Sequence, residues 1–263
     1  MKALGIDVGS LTTKAVILDD NGILASSIIP SGDEAELSAK TAVTQASKQA
    51  GLNLDNSYVV ATGVGGKSVA FSQQQKAITT CLARGVRYLF PSVRMAIDIG
   101  AESSTVIKIN ERGRLSDWTS QDKCAAGTGM FLQQMAKLMG VSLSEMSQLS
   151  FQAKSRADIS GTCAVFAESE VISHVHRDPP TPREEIVAGI YFSVVSRIIS
   201  LCKRTGISKD VAVVGGVALN KGLVNILEKE LGFGVFVPDM PQITAALGAA
   251  VIARENIGEG NKR

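Results

Sequence analysis

Asp7, in Ile6-Asp7-Val8-Gly9-Ser10, and Asp98, in Ile97-Asp98-Ile99-Gly100-Ala101, are the residues best placed to do chemistry in this chain. An aspartate that ends an apolar strand and precedes a glycine turn sets a carboxylate beside backbone amides. The amides can face phosphate oxygens, and the carboxylate can hold hydrated Mg2+. One Asp-x-Gly is more often an ordinary turn, but two in register within one chain are not. After Asp7, residues Gly9, Ser10, Thr12, Thr13 and Lys14 add a turn, hydroxyls and a cation where a β,γ-phosphate would lie. Thr12 and Thr13 also read simply as surface polar residues. A third element, Gly215-Gly216-Val217-Ala218-Leu219-Asn220, follows a buried apolar run and precedes a helical pattern, which suits close approach of backbone to an adenosine moiety.

The stretch Ala61-Thr62-Gly63-Val64-Gly65-Gly66-Lys67-Ser68 satisfies a relaxed phosphate-loop spelling, with Ala61 in the first glycine position. That reading leaves the third glycine element unexplained, and also a duplication of the chain. The stretch is therefore read as a connecting segment near a hinge, with Lys67 on the surface.

The duplication shows which elements must position these groups. Residues 4–24, LGIDVGSLTTKAVILDDNGIL, align without a gap on residues 95–115, MAIDIGAESSTVIKINERGRL, at an offset of 91 positions (98 − 7). Identities fall at Ile6/Ile97, Asp7/Asp98, Gly9/Gly100, Gly22/Gly113 and Leu24/Leu115. Each copy reads as three strands joined by tight turns, a β-meander opening a lobe. The class is α/β, with two similar lobes expected at 1–94 and 95–263 and the last helix free to pack back on the first lobe. Helical spacing predicts helices over 33–51, 129–139, 183–204 and 221–231, with strands at 210–214 and at Val235-Phe236-Val237.

The 263 residues carry 45% hydrophobic and 20% charged side chains and a net charge of +2, which fits a compact α/β enzyme. With aromatics at 5% and basic residues interspersed among acidic ones, neither a base-stacking platform nor a basic stripe is present, so nucleic-acid binding is not expected. No uninterrupted apolar run reaches the roughly 18–20 residues of a membrane span, and a strand begins almost at the first residue. A cytoplasmic protein is expected. Four cysteines in such a chain do not read as a disulfide framework.

Taken in order, IDVGS, IDIGA, ATGVGG and GGVALN resemble the motifs of the superfamily of acetate and sugar kinases, heat-shock chaperone ATPases and actin, over nearly the whole chain. The resemblance implies an actin-like ATPase fold in which two lobes with ribonuclease H-like cores clamp Mg-ATP. It implies that Gly9, Ser10, Thr12, Thr13, Lys14, Gly63, Gly100 and Ala101 surround the phosphates, and that Gly215, Gly216 and Asn220 lie by the adenosine. Asp7 and Asp98 would face each other and assist hydrolysis.

A narrower resemblance lies in Asp122-Lys123-Cys124-Ala125-Ala126-Gly127-Thr128-Gly129 and in Gly161-Thr162-Cys163-Ala164-Val165-Phe166-Ala167-Glu168-Ser169-Glu170. These stretches are similar to signatures of the ATPases that activate 2-hydroxyacyl-CoA dehydratases, and of the related ATPase subunits of benzoyl-CoA reductase. The resemblance implies that Cys124 and Cys163 bind half of one 4Fe-4S cluster, a homodimer supplying the other two thiolates. The helix start at Gly127-Thr128-Gly129 would then direct amide N–H groups toward the cluster. The resemblance further implies ATP-gated transfer of one electron, from a ferredoxin or flavodoxin to a CoA-ester dehydratase or reductase.

Read without the resemblance, isolated cysteines are common buried hydrophobes. Cys202 reads as core, and Cys81 has no partner pattern. His174 and His176 read as a solvated helix end, and Glu168 and Glu170 as exposed helix acids within reach of a nucleotide or magnesium. One departure stands out. The activators carry Gly-Gly-Gln-Asp after the second Asp-Ile, whereas this chain reads Gly100-Ala101-Glu102-Ser103. Glu102 sets an acid beside the phosphates in place of a neutral amide, and this loosens the choice between dehydratase and reductase. A small-molecule kinase of the same superfamily is the rival reading, and it would need no iron.

Overall fold

The computed structural model describes residues 2–54, 56–121 and 127–260. The first meander consists of β1 (Lys2–Val8), β2 (Thr12–Asp19) and β3 (Gly22–Pro30), followed by helix α1 (Ala35–Ala50), β4 (Ser57–Thr62), the short β5 (Gln74–Gln75) and α2 (Ile78–Leu89). The second consists of β6 (Met95–Ile99), β7 (Ser104–Ile109) and β8 (Leu115–Gln121). Then come α3 (Gly129–Met139), α4 (Leu143–Ser150), α5 (Ala164–His176), α6 (Arg183–Thr205), β9 (Val211–Val214), α7 (Lys221–Leu231) and α8 (Thr244–Gly260).

The sheets have the orders β3-β2-β1-β4-β5 and β8-β7-β6-β9. In the first, β1 runs antiparallel to β2 and parallel to β4. The repeat therefore extends one strand beyond the meander, because β4 and β9 each flank the first strand of their own copy. The chain divides into two compact units, the described residues of 1–96, 107–117 and 238–263, and those of 97–106 and 118–237.

Within the first unit β1 is buried along nearly its whole length because helices cover both faces of the sheet. Strand alternation sorts its residues. Leu4, Ile6 and Val8 join Ala15, Ile17 and the alanines of α1 in one core layer, while Ala3 joins Val16, Leu18 and the small residues of α8 in the other. Gly5 lies on the α8 side, where a Cβ would collide with the Ala246 carbonyl and the Ala250 amide. Gly248 in turn lets α8 meet α2, since a Cβ there would collide with the Cys81 carbonyl. The small residues of Ala246-Leu247-Gly248-Ala249-Ala250 thus serve packing inside this unit. An Arg84–Glu255 ion pair adds a polar tie between α2 and α8.

In the second unit α6 is the central helix, burying Ile186, Ile190, Tyr191, Val194 and Ile198 among others, with α4, α5 and α7 packed against it. The expected strand at Val235-Phe236-Val237 is only a single parallel bridge from Phe236 to Ala212. Its two hydrogen bonds, Val213 N–H to the Phe236 carbonyl and Phe236 N–H to the Val211 carbonyl, are both 2.8 Å. Pro238 has no amide to extend the ladder.

Close packing of α8 is tested by two alanine substitutions in the same helix. Gly248→Ala is expected to destabilise the protein by about 1–3 kcal/mol or more through overpacking. Gly258→Ala, where a Cβ meets nothing within 4 Å, should be neutral or stabilise by up to about 1 kcal/mol. Urea unfolding midpoints of the two variants separate these outcomes.

Candidate functional site

Asp7 lies opposite Lys14 in the β1–β2 ladder, so alternation puts both side chains on one face. Lys14 Nζ donates to Asp7 Oδ2 at 3.1 Å and to the Thr12 carbonyl at 3.0 Å. Water is largely excluded from the pair, whose side chains are 13% (Lys14) and 6% (Asp7) exposed. Asp7 Oδ1 is buried and has no hydrogen-bond partner. A buried acceptor left without a donor costs about 1–3 kcal/mol. Such an orphan in a native fold calls for an ion or a water. A carboxylate oxygen free to accept from a metal-bound water fits hydrated Mg2+.

Each unit lays a glycine directly against its aspartate. Gly63, just after β4, has φ +87°, and a Cβ there would lie 2.5 Å from Asp7 Oδ1 and would also strike the Val8 carbonyl. Gly215, just after β9, has φ +85°, and a Cβ there would lie 2.5 Å from Asp98 Oδ1 and 2.5 Å from the Ile99 carbonyl. Only glycine meets both demands, the left-handed backbone and the absent side chain. Asp98 itself is half-buried.

The loop after Asp7 is held from beneath. Gly9 N–H closes it on the Thr12 carbonyl at 3.1 Å. Ser31, at the end of β3, donates its hydroxyl to the Gly9 carbonyl at 2.7 Å and its amide to the Leu11 carbonyl at 2.9 Å. With that hydrogen committed, Thr13 is the donor in its 2.8 Å bond to Ser31 Oγ. The carbonyls of residues 9, 11 and 12 are thus tied to Ser31, Lys14 and the loop's own amide. Ser10 is exposed and Thr12 half-buried on the rim. Thr13 is placed differently from the expectation of a phosphate contact. Alternation turns it away from the face of Asp7 and Lys14, it is fully buried, and its hydroxyl is spent on Ser31.

The second unit repeats the turn, with Gly100 N–H on the Ser103 carbonyl at 2.9 Å. Here the loop is braced by α3, whose first two amides, of Gly129 and Met130, donate to the Gly100 and Ala101 carbonyls at 2.9 Å each. Of these two, the Gly129 amide was expected to face a cluster. Both answer the loop instead, as the unpaired N–H groups of a helix start must find acceptors. Gly127 has φ +99° and its carbonyl accepts from Ser104 Oγ at 2.7 Å. Glu102 is exposed.

Gly216 opens a 3-10 turn, Gly216–Leu219, that leads into α7. Asn220 caps α7, its Oδ1 accepting from Leu223 N–H at 3.0 Å, and its Nδ2 donates to the Tyr191 hydroxyl at 2.6 Å. Both polar ends of Asn220 therefore secure the turn. Burial pushes the Tyr191 phenol up to about 12 despite that bond. In the first unit, Lys67 is exposed in a three-residue 3-10 turn, Gly66–Ser68. A phosphate loop would need an α-helix at that point.

Cys163 is half-exposed and occupies the cap position of α5. The loop before it is closely tied. Ser160 N–H donates to Glu170 Oε2 at 2.5 Å and Thr162 N–H to Ser160 Oγ at 3.1 Å. Glu170 is thereby a loop anchor, while Glu168 is half-buried with Gln134 Nε2 3.5 Å from its Oε1. Cys124 falls in 122–126, outside the described residues. Cys81 and Cys202 are both buried, and desolvation pushes each thiol up to about 12, so they are inert core residues. His174 pairs its Nδ1 with Thr181 Oγ1 at 3.0 Å and its Nε2 with the Asp158 carbonyl at 3.3 Å.

Duplicated meanders, each offering a glycine-backed aspartate and a braced loop of phosphate-binding type, define an ATPase of the actin-like fold. The chain belongs to the BadF/BadG/BcrA/BcrD ATPase family, which it matches over residues 4–253. It is 41% identical over 263 residues to the 2-hydroxyisocaproyl-CoA dehydratase activator of Clostridioides difficile, covering 100% of this chain and 98% of that protein. Identity to the (R)-2-hydroxyglutaryl-CoA dehydratase activating ATPase of Acidaminococcus fermentans is 40% over 253 residues, covering 95% and 96%. Among solved structures, the activator of the 2-hydroxyisocaproyl-CoA dehydratase from Clostridium difficile with bound ADPNP superposes with a TM-score of 0.92, at 41% identity and covering 100% of this chain and 97% of that one.

The buried Asp7–Lys14 pair yields a stability test. Lys14→Met strands a buried carboxylate and is expected to cost about 3–5 kcal/mol, whereas Asp7→Leu combined with Lys14→Met should recover most of that loss. Thermal unfolding of the single and double variants checks the pair, and equal losses in both would contradict it.

Proposed function

We propose that this chain is an ATP-driven one-electron donor that activates a 2-hydroxyacyl-CoA dehydratase-type enzyme. The reading draws support from two full-length relatives that are named as dehydratase activators. The observation in this chain that carries it is Cys163, a half-exposed thiol at a helix start, presented by a loop tied on both sides. Cys124 and Cys163 would hold half of a 4Fe-4S cluster, which when bound stores and passes on one electron. Two thiolates per chain leave such a cluster half-coordinated, so a homodimer completes it. Val165 and Phe166, beside Cys163, are 66% and 62% exposed, as suits a surface that a second subunit covers.

In this reading Asp7 and Asp98 hold hydrated Mg2+, and Gly9, Ser10, Thr12, Lys14, Gly63, Gly100 and Ala101 line the phosphates. Glu102 stands where a hydrolytic water would be oriented. Thr13 and Ser31 fix the first loop from below, and Gly215 and Gly216 bring backbone to the adenosine while Asn220 holds their turn. ATP hydrolysis gates the electron, which comes from a ferredoxin or flavodoxin and passes to a CoA-ester dehydratase, a benzoyl-CoA reductase-type enzyme being the alternative acceptor. Residence is assigned to the cytoplasm. Although α6 is long and apolar enough to span a membrane, 61% of its most apolar window is buried in the fold.

Iron and acid-labile sulfide in protein purified without oxygen decide the reading. About two irons per chain are expected, lost in both Cys124→Ser and Cys163→Ser with nucleotide binding retained. No iron after anaerobic reconstitution would overturn the donor role and turn the reading toward a small-molecule kinase.

A further inference from the structure

We infer that Arg197 is the positioning residue that sets the Cys163 loop for the cluster; this rests on the cluster reading above. α6 has a mean hydropathy of 1.6 over its most apolar 18 residues, and Arg197 places a charge within that helix. A half-buried guanidinium in such a setting is costly unless its donors are matched. They are matched by the two carbonyls that immediately precede Cys163. Nε donates to the Gly161 carbonyl and Nη2 to the Thr162 carbonyl. The rigid fork of a guanidinium grips two successive carbonyls at once, which the point charge of an ammonium does not do.

The loop also lies directly on α6. A Cβ on Gly161 would come within 2.9 Å of Ser196 Oγ and 3.1 Å of the Ser193 carbonyl. The stem of the same arginine lies by Gly127. A Cβ on Gly127 would lie 3.4 Å from Arg197 Cδ and 3.8 Å from its Cβ. With Glu170 holding Ser160 from α5 and Arg197 holding Gly161 and Thr162 from α6, the backbone entering Cys163 is fixed from two helices.

The test uses full-length Arg197→Gln and Arg197→Lys, purified anaerobically, with binding of Mg-ADP as the check on folding. In apoprotein, amide exchange at Gly161, Thr162 and Cys163 should quicken by roughly tenfold in Arg197→Gln. In reconstituted protein, iron should be lost to a chelator some 10–100-fold faster, the usual penalty for removing a group that orients a metal ligand. Arg197→Lys should fall between Arg197→Gln and wild type in both measurements, and it decides alone if Arg197→Gln does not fold. Wild-type exchange and wild-type iron retention in the variants would overturn the role of Arg197 and leave the cluster reading standing. Wild-type protein that takes up no iron would overturn the cluster reading and this role with it.

Discussion

Backbone pressed against a strand-end carboxylate is the constraint on which the candidate site depends. Asp7 and Asp98 each carry a glycine at positive φ so close that any side chain would displace a carboxylate oxygen. The glycine comes from the strand that flanks the first strand of its meander, β4 in one copy and β9 in the other. Strand order, turn and aspartate are thus one unit, built twice. Asp7 Oδ1 is left enclosed without a donor, and this stored cost is the kind that a bound cation relieves.

Around that constraint the loops are held by residues that need touch no ligand. Ser31 and Lys14 draw loop carbonyls inward in the first unit, and the amides opening α3 take the Gly100 and Ala101 carbonyls in the second, Gly100 being the counterpart of Gly9. The loop before Cys163 follows the same logic with Glu170 and Arg197. Sites that must act on phosphate or present a thiolate gain from such support because the loops do not have to be ordered when a ligand arrives. The cost is carried elsewhere, in the close packing of α8 on Gly5 and of α2 on Gly248, which removes slack from the sheet that bears Asp7.

Much of the architecture was legible in the sequence because it rests on local periodicity and on an ungapped repeat. The two meanders, α3 at 129–139 and α7 at 221–231 fall where spacing and glycine stops predict them. The equivalence of Gly63 and Gly215 was not legible. Gly63 follows its aspartate by 56 positions (63 − 7) and Gly215 by 117 (215 − 98), since α3 to α6 intervene in the second copy. Ser31 sits 22 residues from the carbonyl it holds, with no pattern around it to announce that contact. Thr13 could have been set apart from Thr12 by alternation alone, once Asp7 was paired with Lys14. The bridge at Phe236 was misread as a strand because its apolar run outweighed the proline that follows.

The most direct test of the Mg2+ role proposed for the two aspartates is the Mg2+ dependence of ATP-analogue binding, measured by calorimetry on wild type, Asp7→Asn and Asp98→Asn. Wild type should bind much more tightly with Mg2+ than with the metal chelated, and each variant should fall to the affinity of the metal-free state while remaining folded. Retention of the wild-type Mg2+ dependence in either variant would contradict the role proposed for that aspartate.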